Sequence, residues 1–145
     1  MLTLQARKSK SLSGSLTLPG DKSISHRSLI LGTLARGTTR VKGLLEGADV
    51  MSTASALRQL GGQISREEDG TWRVDGIGLN AFAEPAEPMD LGNSGTGARL
   101  LMGAVAGSGI TAIFTGDASL SVRPMARVTN PLVEMGATCP ARDGT

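Results

Sequence analysis

At 145 residues the chain is the length of one ordinary domain, and its net charge of +2 comes from basic residues spread along it rather than gathered in a stripe with aromatics, which argues against a nucleic-acid partner. Apolar residues make up 39% and there are 20 glycines, enough to form a core and to exclude a disordered chain. One cysteine, Cys139, excludes an internal disulfide and a cysteine-rich metal site; with no signal peptide and no apolar run of spanning length, a soluble cytoplasmic protein away from membranes is expected.

The first expected strand is "GSLTL" (14–18), stopped by Pro19. Apolar residues then fall at helical spacing from Ile24 to Ala35, with Asp21 or Ser23 as N-cap and Gly37 as the stop. "TTRVKG" (38–43) alternates and is β-branched, hence a strand; a helix follows over Asp49–Leu60, with Asp49 as its cap. "GQIS" and "TWRV" flank Asp69-Gly70, a hairpin turn. The order is β-α-β-α-β-β.

The pattern restarts with a strand at "MDLG" (89–92), the loop "GNSGTG" (92–97), a helix over Ala98–Ala106 and a strand over Ile110–Gly116. A helix over Arg123–Gly136, with Pro131 inside it, precedes a strand over Ala137–Arg142. Superposing the halves aligns Arg27 with Arg99, "LRQLGG" with "LVEMGA", and the "DGT" at 69–71 with that at 143–145. Two similar units, 19–87 and 88–145, are therefore expected. The second stops at its hairpin turn, so the edge at 137–142 is expected to lack its partner strand, to invite dimerisation or aggregation, and to be completed by something else.

Lys22 and Ser23 fall where a strand turns into a helix, a place that favours anions, and Arg27 lies one turn along the same face. A carboxylate or phosphate would suit them; a plainly capped helix with solvated charges is the bland alternative. "GDKS" lacks the earlier glycine of a phosphate-binding P-loop, and "GNSGTG" lacks the dinucleotide glycine order. The glycines of that second loop still allow close backbone approach to a ligand, Asn93, Ser94 and Thr96 supply polar groups and Arg99 follows near the helix start, with a flexible connector as the bland alternative. Arg123 opens the last helix, where its charge opposes the helix dipole, which hints at a task other than stability, a plain surface charge being the bland alternative. His26 reads as a helix-surface or structural histidine, and Asp21, Asp49 and Asp117 as caps and turn residues.

Three segments carry a resemblance in order and spacing: "LPGDKSISHRSLILGTLARGTTRVKGLL", "LGNSGTGARLL" and "FTGDASLSVRPM". From about Ser13 to Ala137 the chain resembles the 5-enolpyruvylshikimate-3-phosphate synthases, in the enolpyruvyl transferase family; Ser23 after Lys22, where the branch acting on UDP-N-acetylglucosamine usually has Asn, favours the shikimate branch. The resemblance implies an α/β fold of two lobes, each an inside-out barrel of three β-α-β-α-β-β units, of which this chain would hold an incomplete one. It implies transfer of the enolpyruvyl group of phosphoenolpyruvate to the 5-hydroxyl of shikimate 3-phosphate, with no cofactor and no metal. Lys22 would contact both substrates and be available for proton transfer; Ser23 and Arg27 would hold shikimate 3-phosphate; Asn93, Gly95 and Arg123 would line the phosphoenolpyruvate pocket, supported by Thr96 and Arg99. Family members are several times longer, so a C-terminal portion, as a partner or a continuation, would have to complete the site, and residues 1–18 would pack with it. The chain alone is then expected to be inactive, and an anion-binding module or assembly partner is the alternative. Against glyphosate, Gly95 implies sensitivity and Leu100 pulls toward tolerance.

Overall fold

The structure, a computed structural model, describes residues 4–141. In chain order it contains α1 (Lys22–Leu34), β1 (Arg36–Val41), α2 (Ala48–Gln59), β2 (Gln63–Arg66) and β3 (Trp72–Ile77). Then follow β4 (Met89–Asp90), α3 (Gly95–Ala106), β5 (Phe114–Thr115) and α4 (Ala126–Glu134). The first sheet has the order β1-β3-β2, with β3 antiparallel to both neighbours; β4 and β5 form a second, parallel pair. A parallel pair needs a crossover, and α3 supplies it.

Local chemistry explains the starts and stops. The Asp21 side chain accepts from the Ile24 N–H at 2.7 Å and caps α1, and Ser94 does the same for α3 from Gly97 N–H at 3.1 Å. Gly61, at φ +93°, carries the chain out of α2 toward β2. The helices pack on the sheets through wholly buried Leu29, Val50, Leu57, Val74, Met89 and Leu101, one continuous core of aliphatic side chains.

Several expectations need correction. Residues 14–18 form no strand; they lie exposed, because a strand exists only through its ladder and none of the described residues pairs with them. Residues 137–141 form none either, for the same reason, and Arg142 and the repeated "DGT" at 143–145 lie outside the described residues. The strand expected over Ile110–Gly116 shrinks to Phe114–Thr115, since β4 offers only Met89 and Asp90 as partners. Asp49 does not cap α2: Gly47 holds the cap position, without a side-chain hydrogen bond, and Asp49 sits in the first turn. The last helix starts at Ala126, so Arg123 lies ahead of it in a turn.

Candidate functional site

The corner before α1 is held tightly. Ser25 Oγ donates to the Asp21 carbonyl at 2.7 Å and accepts from the Leu45 N–H at 2.9 Å, stitching this corner to the loop before α2. From the first turn of α1, Lys22 Nζ reaches Asp49 Oδ2 at 3.0 Å, with the two side chains 50% and 29% exposed. An ion pair this open contributes about 0–1 kcal/mol to stability. Its effect is to aim the ammonium. Ser23 is half-buried and Arg27 exposed, and neither side chain makes a hydrogen bond among the described residues.

A second cluster forms around the start of α3. Asn93 donates through Nδ2 to Asp117 Oδ2 at 2.8 Å and accepts through Oδ1 from Arg123, which also donates to Ser119 Oγ at 3.2 Å. Arg99 donates to the Gly95 carbonyl at 3.2 Å and the Pro124 carbonyl at 3.3 Å, while its buried Nε has no partner among the described residues. A methyl placed on Gly95 would lie 2.7 Å from Arg123 Nη1 and 2.8 Å from Arg99 Nη1, so two guanidinium groups flank this backbone position. Thr96 beside it is half-buried. The Asn93 amide, then the Leu120 N–H, hold the Asp117 carboxyl below its ordinary range. Ionised, it fixes the Asn93 amide so that its oxygen faces Arg123.

In both clusters a residue near the start of a later helix partners one near the start of an earlier helix: Asp49 in the first turn of α2 with Lys22 in the first turn of α1, and Arg123 ahead of α4 with Asn93 ahead of α3. The clusters meet through α2, whose Ser52 hydroxyl lies 3.5 Å from where a Cβ would stand on Gly92. Lys22, in the first turn of α1, is the cation of the first cluster, and Arg99 and Arg123, around Gly95, are the cations of the second. A cavity of about 550 Å³ lies elsewhere, between α3, β5 and residues 136–141; its lining includes Met102, Ile110, Phe114 and Cys139 and no charged side chain.

One turn beyond Lys22 on α1, His26 is wholly buried, with Nδ1 2.8 Å from Thr53 Oγ1 on α2. Burial pushes its pKa below 6.5; the Asp49 carboxylate opposes this and Lys22 adds to it. The unfolded chain takes up a proton near pH 6.5 that the folded chain resists, so this histidine's contribution to stability is complete above pH 6.5 and is lost as pH falls below it toward the lowered folded value. Unfolding free energies from urea titrations between pH 7.5 and 5.5 should therefore fall more steeply for the parent than for His26→Asn, by up to about 1.4 kcal/mol per pH unit. Parallel curves would contradict a neutral buried imidazole.

Residues 6–145 match the sequence family described as EPSP synthase (3-phosphoshikimate 1-carboxyvinyltransferase). The chain belongs to the EPSP synthase family. It is 61% identical over 142 residues to a 3-phosphoshikimate 1-carboxyvinyltransferase of Parvibaculum lavamentivorans, covering 98% of this chain and 32% of that protein. To the enzyme of the same description from Rhodopseudomonas palustris (strain HaA2) it is 62% identical over 134 residues, covering 92% and 30%. The solved structure of EPSP synthase from Acinetobacter baumannii superposes with a TM-score of 0.84 at 44% identity, over 91% of this chain and 30% of that one. The α/β fold is therefore that of EPSP synthases, and the chain spans about a third of the length of these relatives. Within this family framework Asn93, Gly95, Arg99 and Arg123 are brought together and Lys22 is paired, whereas Ser23 and Arg27 make no such contacts. Sequence reasoning missed the roles of Asp49 as partner of Lys22 and of Ser119 as partner of Arg123. "GDASLS" offered three polar side chains just before Arg123, which was the available signal for the second.

Proposed function

We propose that this chain is the N-terminal portion of a synthase that moves the enolpyruvyl group of phosphoenolpyruvate onto the 5-hydroxyl of shikimate 3-phosphate in the cytoplasm. In this reading the hydroxyl oxygen bonds to C2 as its proton passes to a base, while the methylene carbon gains a proton. The C2–O bond to phosphate then breaks, the methyl carbon gives a proton back, and phosphate leaves. Lys22 contacts both substrates and is the candidate for proton transfer; Ser23 and Arg27 hold shikimate 3-phosphate; Asn93, Gly95 and Arg123 hold phosphoenolpyruvate, with Thr96 and Arg99 supporting them. Family membership supports the reaction class. The observation that carries the site is the convergence of the Arg99 and Arg123 guanidinium groups on Gly95, two cations packed against one backbone position, which suits a small polyanion.

The units 19–87 and 88–145 belong to one lobe, and residues 1–18 dock on a C-terminal portion that completes the site on closure; the chain by itself does not turn over. A second reading is an anion-binding module without catalysis, which the two guanidinium groups around Gly95 would also serve. Phosphate release on adding the C-terminal portion separates the two.

Glyphosate competes for the same pocket in this reading. Gly95→Ala pushes a methyl into the Arg99 and Arg123 side chains. One added methyl should raise both KM for phosphoenolpyruvate and the inhibition constant for glyphosate about tenfold in the assembled enzyme. Superimposable inhibition curves would discard the steric argument. Leu100, whose side chain is partly exposed, stands next to Arg99 rather than in that notch.

A further inference from the structure

Lys22 and Asp49 are not the only contact between α1 and α2 at the same sequence separation. One turn further along each helix stands a second pair, His26 and Thr53, so the helices run parallel and are joined by two rungs. The outer rung is ionic and half in solvent, and the inner rung is neutral and wholly buried. These rungs differ in what they can hold. An open ion pair tolerates many geometries at little cost, whereas a buried hydrogen bond that breaks leaves polar atoms with no water to replace the partner. The inner rung therefore sets the register in which the outer one forms.

Thr53 extends this control in two directions. Its hydroxyl donates to the Asp49 carbonyl at 3.3 Å, tying the inner rung to the residue that aims Lys22. It also stands 2.4 Å from where a Cβ on Gly97 would lie, so it spaces α3 and the Gly95 corner from α2. With that hydroxyl proton on the Asp49 carbonyl, His26 Nδ1 carries the ring proton and donates to Thr53, leaving buried Nε2 as a bare lone pair without a partner among the described residues. The other tautomer would bury an unsatisfied N–H donor.

We infer that His26 and Thr53 are a positioning pair for Lys22, holding α1 and α2 in the one register that keeps the ammonium against Asp49 at the mouth of the anion site. This deepens the functional reading above and rests on it for the use to which Lys22 is put.

The test is competitive trace acetylation of the full 145-residue chain with acetic anhydride, reading the ratio of modification at Lys22 to that at exposed Lys42 by peptide mass spectrometry. Thr53→Val, which keeps the side-chain shape and removes the hydroxyl, should raise the Lys22:Lys42 ratio about threefold, the scale of a lost surface ion pair. His26→Leu should do the same, while Thr53→Ser and His26→Asn, which each retain a hydrogen-bonding group, should keep the parent ratio. A general loss of structure would move every lysine and the circular dichroism together; Thr53→Val is decisive should His26→Leu unfold. A folded Thr53→Val protein with the parent ratio overturns the inference. A parallel arm with phosphoenolpyruvate and the added C-terminal portion reports on the functional reading separately: no protection of Lys22 in the parent would count against that reading while the variant ratios still decide the positioning.

Discussion

Lys22→Ala in the assembled enzyme should lower the rate of phosphate release from phosphoenolpyruvate and shikimate 3-phosphate by about 10²- to 10³-fold, the loss typical when one preorganised donor to developing charge is removed. Lys22 is the cation of α1 aimed by a carboxylate yet still half exposed to incoming ligand. Its fold-stabilising contribution is small, about 1 kcal/mol at most for so open a pair, so the melting temperature should barely move. That combination, intact fold and lost turnover, separates a catalytic contact from a structural one. Lys42→Ala, beyond the end of β1, is the matched control and should leave both quantities unchanged. A Lys22→Ala enzyme that turns over within about twofold of the parent would remove Lys22 from the reaction.

The largest loss of stability should come from a glycine. Gly76 lies in β3 opposite Gly37, where the sheet passes the end of α1. A Cβ there would stand 2.2 Å from the Ala35 carbonyl oxygen and 2.6 Å from that of Gly32. Both are backbone atoms, so no side chain can swing aside; either α1 or β3 must move. Gly76→Ala should cost about 3 kcal/mol, at the upper end for overpacking. Gly103, inside α3 with nothing within 4 Å, is the opposite case. Gly103→Ala should stabilise by about 0.8 kcal/mol through helix propensity alone. Urea midpoints of the two variants would differ in opposite directions from the parent; a Gly76→Ala chain of parental stability would contradict the close approach of sheet and helix.

The helices were legible because their signals are local. Periodicity over Ile24–Ala35 and an acid before it gave α1 to within a turn, and Asp21 is its cap. The placing of Asn93, Gly95 and Arg99 at one strand-to-helix corner followed from the same kind of pattern. What depends on distant partners was not legible. "GSLTL" has strand composition, but no partner lies within the described residues. Asp49 looked like a cap because acids precede helices; its engagement by Lys22 depends on how α1 packs on α2. His26 sits in a polar run, "SISHRS", with no apolar stripe to mark its face, and only the packed helices show that it is buried. The meeting of Arg123 with Asn93 across a turn is likewise a tertiary fact.

The most direct measurement is phosphate release from phosphoenolpyruvate plus shikimate 3-phosphate, first with this chain alone and then with the C-terminal portion of a close relative added. The account predicts no release from the chain alone, release on mixing, and its loss when the added portion meets Lys22→Ala. Release by the chain alone would contradict the need for a second lobe, and no release in either case would contradict the catalytic role and leave an anion-binding module.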